Sequence, residues 1–253
     1  MSPLDHSEDI NPPAPDEPNA FLAMPFLEHL EELRKRILRS LISVVICSAV
    51  ALYFSDTIMH WFLAPLNGVK LYVTEVTGSF MAYFKVGLLT GIIMSLPIVF
   101  WQVWGFVAPG LYIKERRKVV PFVLIATILF LGGASFCYFL VLPFALKFMI
   151  GFSGDLLSPI ITVSSYISFS GMLLLAFGIC FELPVIAYIL GRLGVITSKM
   201  LSKGRRIAVV VILLVAGVLT PTPDIFTQLL LAVPLYILYE TSIVVVRITG
   251  KRK

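Results

Sequence analysis

The chain has 253 residues, of which 58% are hydrophobic and only 14% charged, with a formal net charge of +5 and a mean hydropathy of +0.94. Those values exclude an ordinary soluble domain, because several runs stay apolar all the way round for about 20 residues, the length that crosses roughly 30 Å of hydrocarbon. The three cysteines, Cys47, Cys137 and Cys180, lie inside apolar runs without metal-ligand or disulfide-framework spacing.

Residues 1–23 are rich in Pro, Asp, Glu and Asn, bury too little surface to offset ordering entropy, and read as a disordered acidic tail. They lack the basic, apolar and cleavage regions of a signal peptide. From Met24 to Arg39 apolar residues recur at helical spacing (Phe26, Leu27, Leu30, Leu33, Ile37, Leu38), with acids first and bases last. That order suits the helix dipole and favours the pairs Glu31–Lys35 and Glu32–Arg36. Two readings of this interfacial helix stand side by side. Its charges pair internally, or Glu32, with Glu28 and Glu31 as further candidates, offers a carboxylate to a cationic ligand at the membrane surface.

Six apolar runs follow at about 37–56, 81–104, 121–143, 166–190, 207–220 and 225–246, an all-α polytopic membrane fold. Bases flank alternate connections: Arg34, Lys35, Arg36 and Arg39, then Lys114, Arg116, Arg117 and Lys118, then Arg192, Lys199, Lys203, Arg205 and Arg206, and finally Arg247 and Lys251 to Lys253. The intervening connections hold only Lys70 and Lys147, so both termini are expected in the cytoplasm. The external connections, 57–80 and 144–165, are rich in large apolar residues and are expected to cap the helices. From Ile207 to Leu219 the fifth run spans only about 20 Å. Pro97, Pro184 and Pro234 each remove a backbone hydrogen bond within a span, which predicts bent helices and a cupped shape. The domain plan is a single membrane unit, 24–248, with a short basic tail at 249–253.

The connection Gly105–Lys118 carries a turn at Ala108-Pro109-Gly110, the aromatics Phe106 and Tyr112, and Glu115 among four bases. Glu115 either pairs within this cluster or turns outward to a cationic partner. Glu182 is the one acid deep in a span. Its charged form is costly there, so it faces protein or a water-filled hollow as a functional candidate, or it donates locally to the Cys180 carbonyl that Pro184 leaves free. Gln102 and Gln228 are weaker candidates, and Glu240 either snorkels or pairs with Arg247. His6, His29 and His60 are too scattered for a histidine-based catalytic or metal set. No enzyme, cofactor, metal or nucleic-acid role is expected. A proton-coupled solute transporter built around Glu182 is the alternative on residues alone, weakened by the absence of an internal repeat.

Phe26-Leu-Glu-His-Leu-Glu-Glu-Leu-Arg-Lys-Arg, Phe106-Val-Ala-Pro-Gly-Leu-Tyr-Ile-Lys-Glu-Arg-Arg, Phe181-Glu-Leu-Pro and Thr220-Pro-Thr-Pro-Asp-Ile-Phe together resemble TatC, the multispanning subunit of the twin-arginine protein translocase, across residues 24–248. The resemblance implies a receptor for signal peptides with two consecutive arginines. It also implies oligomeric work in the lipid bilayer with TatA-type and TatB-type single-span subunits, moving folded proteins across the cytoplasmic membrane on the proton-motive force. By residue match, Glu115 and Glu32 are its contact acids, and Phe106, Pro109, Leu111, Arg116 and Arg117 shape the surface around them. Pro65 belongs to the external cap, Glu182 to the concave face, and Asp224, Phe226 and Gln228 to the partner contact. Paired guanidinium groups match carboxylates bidentately, so two acids at a membrane surface suit that task.

Overall fold

The computed structural model describes residues 26–66, 69–107, 119–151, 160–219 and 225–249. The expected tail at 1–23, the turn at Pro109, the residues Leu111, Glu115, Arg116, Arg117 and Asp224, and the last four residues lie outside them. Within them the chain is helical, with one isolated parallel bridge between Tyr72 and Thr162.

Helix α1, Phe26–Tyr53, runs 28 residues, so the amphipathic stretch and the first apolar run form one element. Neither Gly nor Pro interrupts this stretch, and its length of about 42 Å exceeds the hydrocarbon by about 12 Å. The surplus falls at its charged end. After the short α2 (Ser55–Leu63) comes α3, Gly78–Val107, which continues through Pro97.

Helix α4, Val119–Phe136, leads through a π turn at Cys137–Val141 into α5, Leu142–Gly151. Residues 144–151, expected in the external connection, are therefore helical. Pro143 sits within this continuous helical stretch: its ring normally clashes with the carbonyl four residues back, and the wider π turn immediately before it takes up that strain. Helix α6 (Val163–Phe181) and α7 (Leu183–Arg192) make up the fourth run, broken at Glu182. There the Glu182 N–H bonds the Ile179 carbonyl at 3.0 Å, tighter than α-helical spacing, and its own carbonyl accepts from Ile186 at 2.9 Å. Helix α8 (Ser198–Lys203) is capped by the Thr197 side chain. Helix α9, Arg205–Leu219, has 15 residues, and α10 is Ile225–Thr249.

Among the described residues, five helical stretches are long and apolar enough to cross a membrane: His29–Tyr53, Gly78–Val107, Val120–Gly151, Val163–Arg192 and Thr227–Thr249. The short run expected at 207–220 is α9, about 22 Å long. The protein is an integral membrane protein, and its many exposed Leu, Ile, Val and Phe side chains face lipid rather than water.

The fourth span is 44% buried over its most apolar window and α1 only 17%, which puts α6 at the centre and α1 at the rim. Phe177, Ile167 and Leu173 of α6 pack with Val86 of α3, Phe130 of α4, and Leu231 of α10. In-span hydroxyls bond their own helix, as Ser95 to Ile92 O and Ser170 to Tyr166 O, both at 2.8 Å. The connection expected to form a cap packs against the helices. Met59, Phe62 and Leu66 are buried, Pro65 sits half-buried in a 3-10 turn with Leu66, and Tyr72 exchanges hydrogen bonds with Ile161 and Val163 at 2.9 and 3.0 Å. The Tyr166 hydroxyl, on α6, bonds the Phe62 carbonyl at 2.7 Å, fastening the cap to the core. Tyr166→Phe is expected to lower stability by about 1 kcal/mol, with the carbonyl left buried, read as a fall in Tm of the detergent-solubilised protein.

Candidate functional site

Three helix ends converge where α3 gives way to residues 108–118. Helices α1 and α3 run antiparallel in close contact: Ser48 faces Gly91 near the middle, and Arg36 faces Gly105 near the end. A Cβ at position 105 would overlap the Arg36 guanidinium, the end of a flexible side chain that would have to shift to make room. His29 stacks on Phe106 with ring centroids 4.4 Å apart and planes 18° from parallel. Trp104 stacks on Phe122 of α4 at 4.0 Å, so the 108–118 connection leaves and re-enters a clamped pair of helices.

Glu32 sits at this junction. Arg36 donates from Nε to Glu32 Oε1 at 2.9 Å, and its Nη2 reaches the same oxygen. Both side chains are about three-quarters covered, with exposures of 26% and 22%, whereas the neighbouring Glu31–Lys35 pair, 2.8 Å apart, stays more than 60% exposed. Both pairs expected from the i,i+4 spacing therefore form. Packing against Gly105 distinguishes the second from an ordinary solvated helix pair, which contributes a few tenths of a kcal/mol. Chemically, the Glu32 carboxylate is already presented to a guanidinium.

Among the described residues, two buried polar atoms at the same end have no partner, Gln102 Oε1 and Trp104 Nε1. Trp104 is only 3% exposed. Of the sequence-derived site residues, Glu32 lies on α1 between His29 and Arg36, which contact Phe106 and Gly105 at the end of α3; the loop residues and Asp224 fall outside the described set.

Glu182 is buried to 7% exposure at the α6–α7 break, and its Oε1 has no hydrogen-bond partner among the described residues. Pro184 lies at the start of α7, which accounts for the break beside it. Gln228 on α10 donates to the Leu213 carbonyl of α9 at 2.8 Å, so its amide ties the last two helices together. Glu240 does not pair with Arg247 in the structure. Arg205 holds it bidentately, at 2.8 and 2.9 Å, with the Tyr236 hydroxyl on Oε1. The partner comes from a separate helix, which periodicity along α10 could not reveal. Sequence reasoning also passed over Arg36 as a structural partner to α3, although Gly105 at the end of an apolar run was the available signal.

A family model described as "Sec-independent protein translocase protein (TatC)" matches residues 28–234. The TatC of Carboxydothermus hydrogenoformans is 42% identical over 238 residues, covering 91% of this chain and 98% of its own length. That of Aquifex aeolicus is 38% identical, covering 91% and 98%. A crystal structure of the twin-arginine translocase receptor TatC superposes with a TM-score of 0.79 at 38% identity, over 87% of this chain and 99% of its own. A second, solved in the detergent DDM, gives 0.80 at 37% identity. With match, length and fold in agreement, this chain belongs to the TatC family of Sec-independent protein translocase proteins.

Proposed function

We propose that this subunit reads the paired arginines of signal peptides on folded cargo, with Glu32 and Glu115 as the contact acids. The observation that carries this is the junction itself: Glu32 holds a guanidinium in place, between His29, which stacks on Phe106, and Arg36, which packs at Gly105, at the root of the 108–118 connection. Glu115 is four residues from Val119, so chain connectivity alone keeps it within about 14 Å of that backbone. Phe106, Pro109 and Leu111 would supply apolar contact, and Arg116 and Arg117 would compete for Glu115, favouring release of cargo.

The charge distribution supports the orientation, and membership of the TatC family supports the rest of the reading. Both termini face the cytoplasm, six crossings place the junction on that side of the cytoplasmic membrane, and residues 24–248 form one unit between the tails. Asp224, Phe226 and Gln228 meet TatA-type or TatB-type single-span subunits in an oligomeric complex, Glu182 serves the membrane-embedded path, and the proton-motive force drives transport. No catalytic step is assigned to any residue.

The test is photocrosslinking of a twin-arginine peptide to the membrane-embedded protein. Glu115→Ala is expected to reduce capture about tenfold, the equivalent of one lost charge-assisted contact, and Glu32→Ala somewhat less. Undiminished capture in the double variant would defeat the assignment of the acids.

A further inference from the structure

Lys85 lies on α3, about 10 Å from the helix start and therefore at the end of the protein away from the 108–118 connection. It falls within the apolar run 81–104, where a cation is costly unless it is paired. Its ammonium donates to Ser164 Oγ at 2.9 Å and to Ser168 Oγ at 2.8 Å. These serines stand one turn apart on α6. Among the described residues no carboxylate lies within ion-pairing distance of Lys85. Two neutral hydroxyls therefore fix the position of the charge without neutralising it.

The donors exceed the acceptors. An ammonium has three N–H groups, and two are used. The Ser168 hydroxyl is spent on the Ser164 carbonyl at 2.9 Å; Ser164 Oγ accepts from Lys85 and donates no hydrogen bond among the described residues. A positive charge with unspent donors, half-buried and open on the Ser168 side, is matched by an anion with several acceptor oxygens.

The surroundings select the kind of anion. Phe80 and Phe84 stack on the outside of α3, 6.3 Å apart, and Tyr83 is exposed beside them, an aromatic belt of the sort found at bilayer boundaries. Lys85 facing Ser164 and Ser168, and Leu89 facing Gly171, show that α3 and α6 run parallel. Leu88 and Met172, both exposed, therefore continue the same faces one turn deeper. A charged head at the lysine with apolar chains alongside describes a phospholipid.

We propose that Lys85, Ser164 and Ser168 form a seat for the phosphodiester of an anionic phospholipid, whose acyl chain lies along Leu88 and Met172. The seat is separate from the signal-peptide junction and independent of it. The test is native mass spectrometry of the purified full chain titrated with dioleoyl phosphatidylglycerol or dioleoyl phosphatidylcholine. The wild type is expected to bind one phosphatidylglycerol about tenfold more tightly than phosphatidylcholine. Lys85→Gln and the double variant Ser164→Ala/Ser168→Ala should lose that preference, and Lys85→Arg should retain most of it. The serine variant keeps the charge, so it decides the matter even if Lys85→Gln fails to fold. Equal binding of the two lipids by the wild type, or a preference that survives both variants, overturns the proposal. Displacement by inorganic phosphate at equal concentration would assign the seat to a free anion, and displacement by an equimolar acidic single-span peptide to a protein carboxylate. Either outcome overturns the lipid assignment.

Discussion

Gly91→Ala is expected to destabilise this protein, while Gly132→Ala, the same change in another membrane helix, is expected to stabilise it. At Gly91 a Cβ would fall onto the Oγ, Cα and backbone nitrogen of Ser48 in α1. Backbone cannot rotate away as a flexible side chain does, so α1 and α3 must separate. Overpacking of this kind costs about 1–3 kcal/mol even when some relaxation is available. In a membrane, close backbone approach across small residues is a main source of helix association, because burying apolar surface away from lipid gains little. Helix α1 sits at the rim and packs chiefly along α3, so this crossing holds most of what fixes it. At Gly132 nothing lies within 4 Å of the added methyl, and the glycine is exposed on α4. There the gain in helix propensity of about 0.5–1 kcal/mol is uncompensated. Thermal unfolding of both variants in the same detergent checks the pair. Shifts of the same sign would show that the α1–α3 crossing is not tightly packed.

The membrane class and most of the helices were legible in the sequence because lipid imposes a simple rule: runs without charge, long enough to cross, must satisfy their backbone internally. Local pairing was legible for the same reason, since Glu32 and Arg36 are neighbours on any helix. What escaped was the set of contacts between helices. Arg205 with Glu240 joins residues 35 apart in the chain, and Lys85 with Ser164 joins residues 79 apart. A single lysine in a long apolar run is hidden by the average that defines the run. The helical extension to Gly151 escaped because no local signal announces the π turn that accommodates Pro143. For function, the residues left a translocase and a proton-coupled transporter both open. Motif resemblance chose between them, and family membership now supports that choice. Glu182 alone decides nothing: a buried acid with an orphan oxygen suits either machine.

Exchanging Glu32 and Arg36 separates the two roles that this pair could have. If the ion pair serves only to hold α1 against α3, the E32R/R36E protein should keep both stability and peptide capture, because both charges are still present one turn apart. If Glu32 is the contact acid, its position matters more than the pairing. Residue 36 is about 6 Å further along the helix axis and packs against the end of α3 at Gly105, so a carboxylate there is withdrawn from the junction. A guanidinium at residue 32 would meet the incoming arginines with like charge. One attraction is lost and one repulsion gained, and at about tenfold each the expected loss of twin-arginine crosslinking is about a hundredfold. The reversed orientation along the helix dipole costs a few tenths of a kcal/mol, so Tm should move little. Capture within about threefold of the wild type, on a protein that still folds, would remove Glu32 from the binding site and leave Arg36 and Glu32 as a packing pair. Restoration by a signal peptide whose two arginines are replaced by glutamates would go further. It would show that the junction reads charge directly, by contact with the residue at position 32.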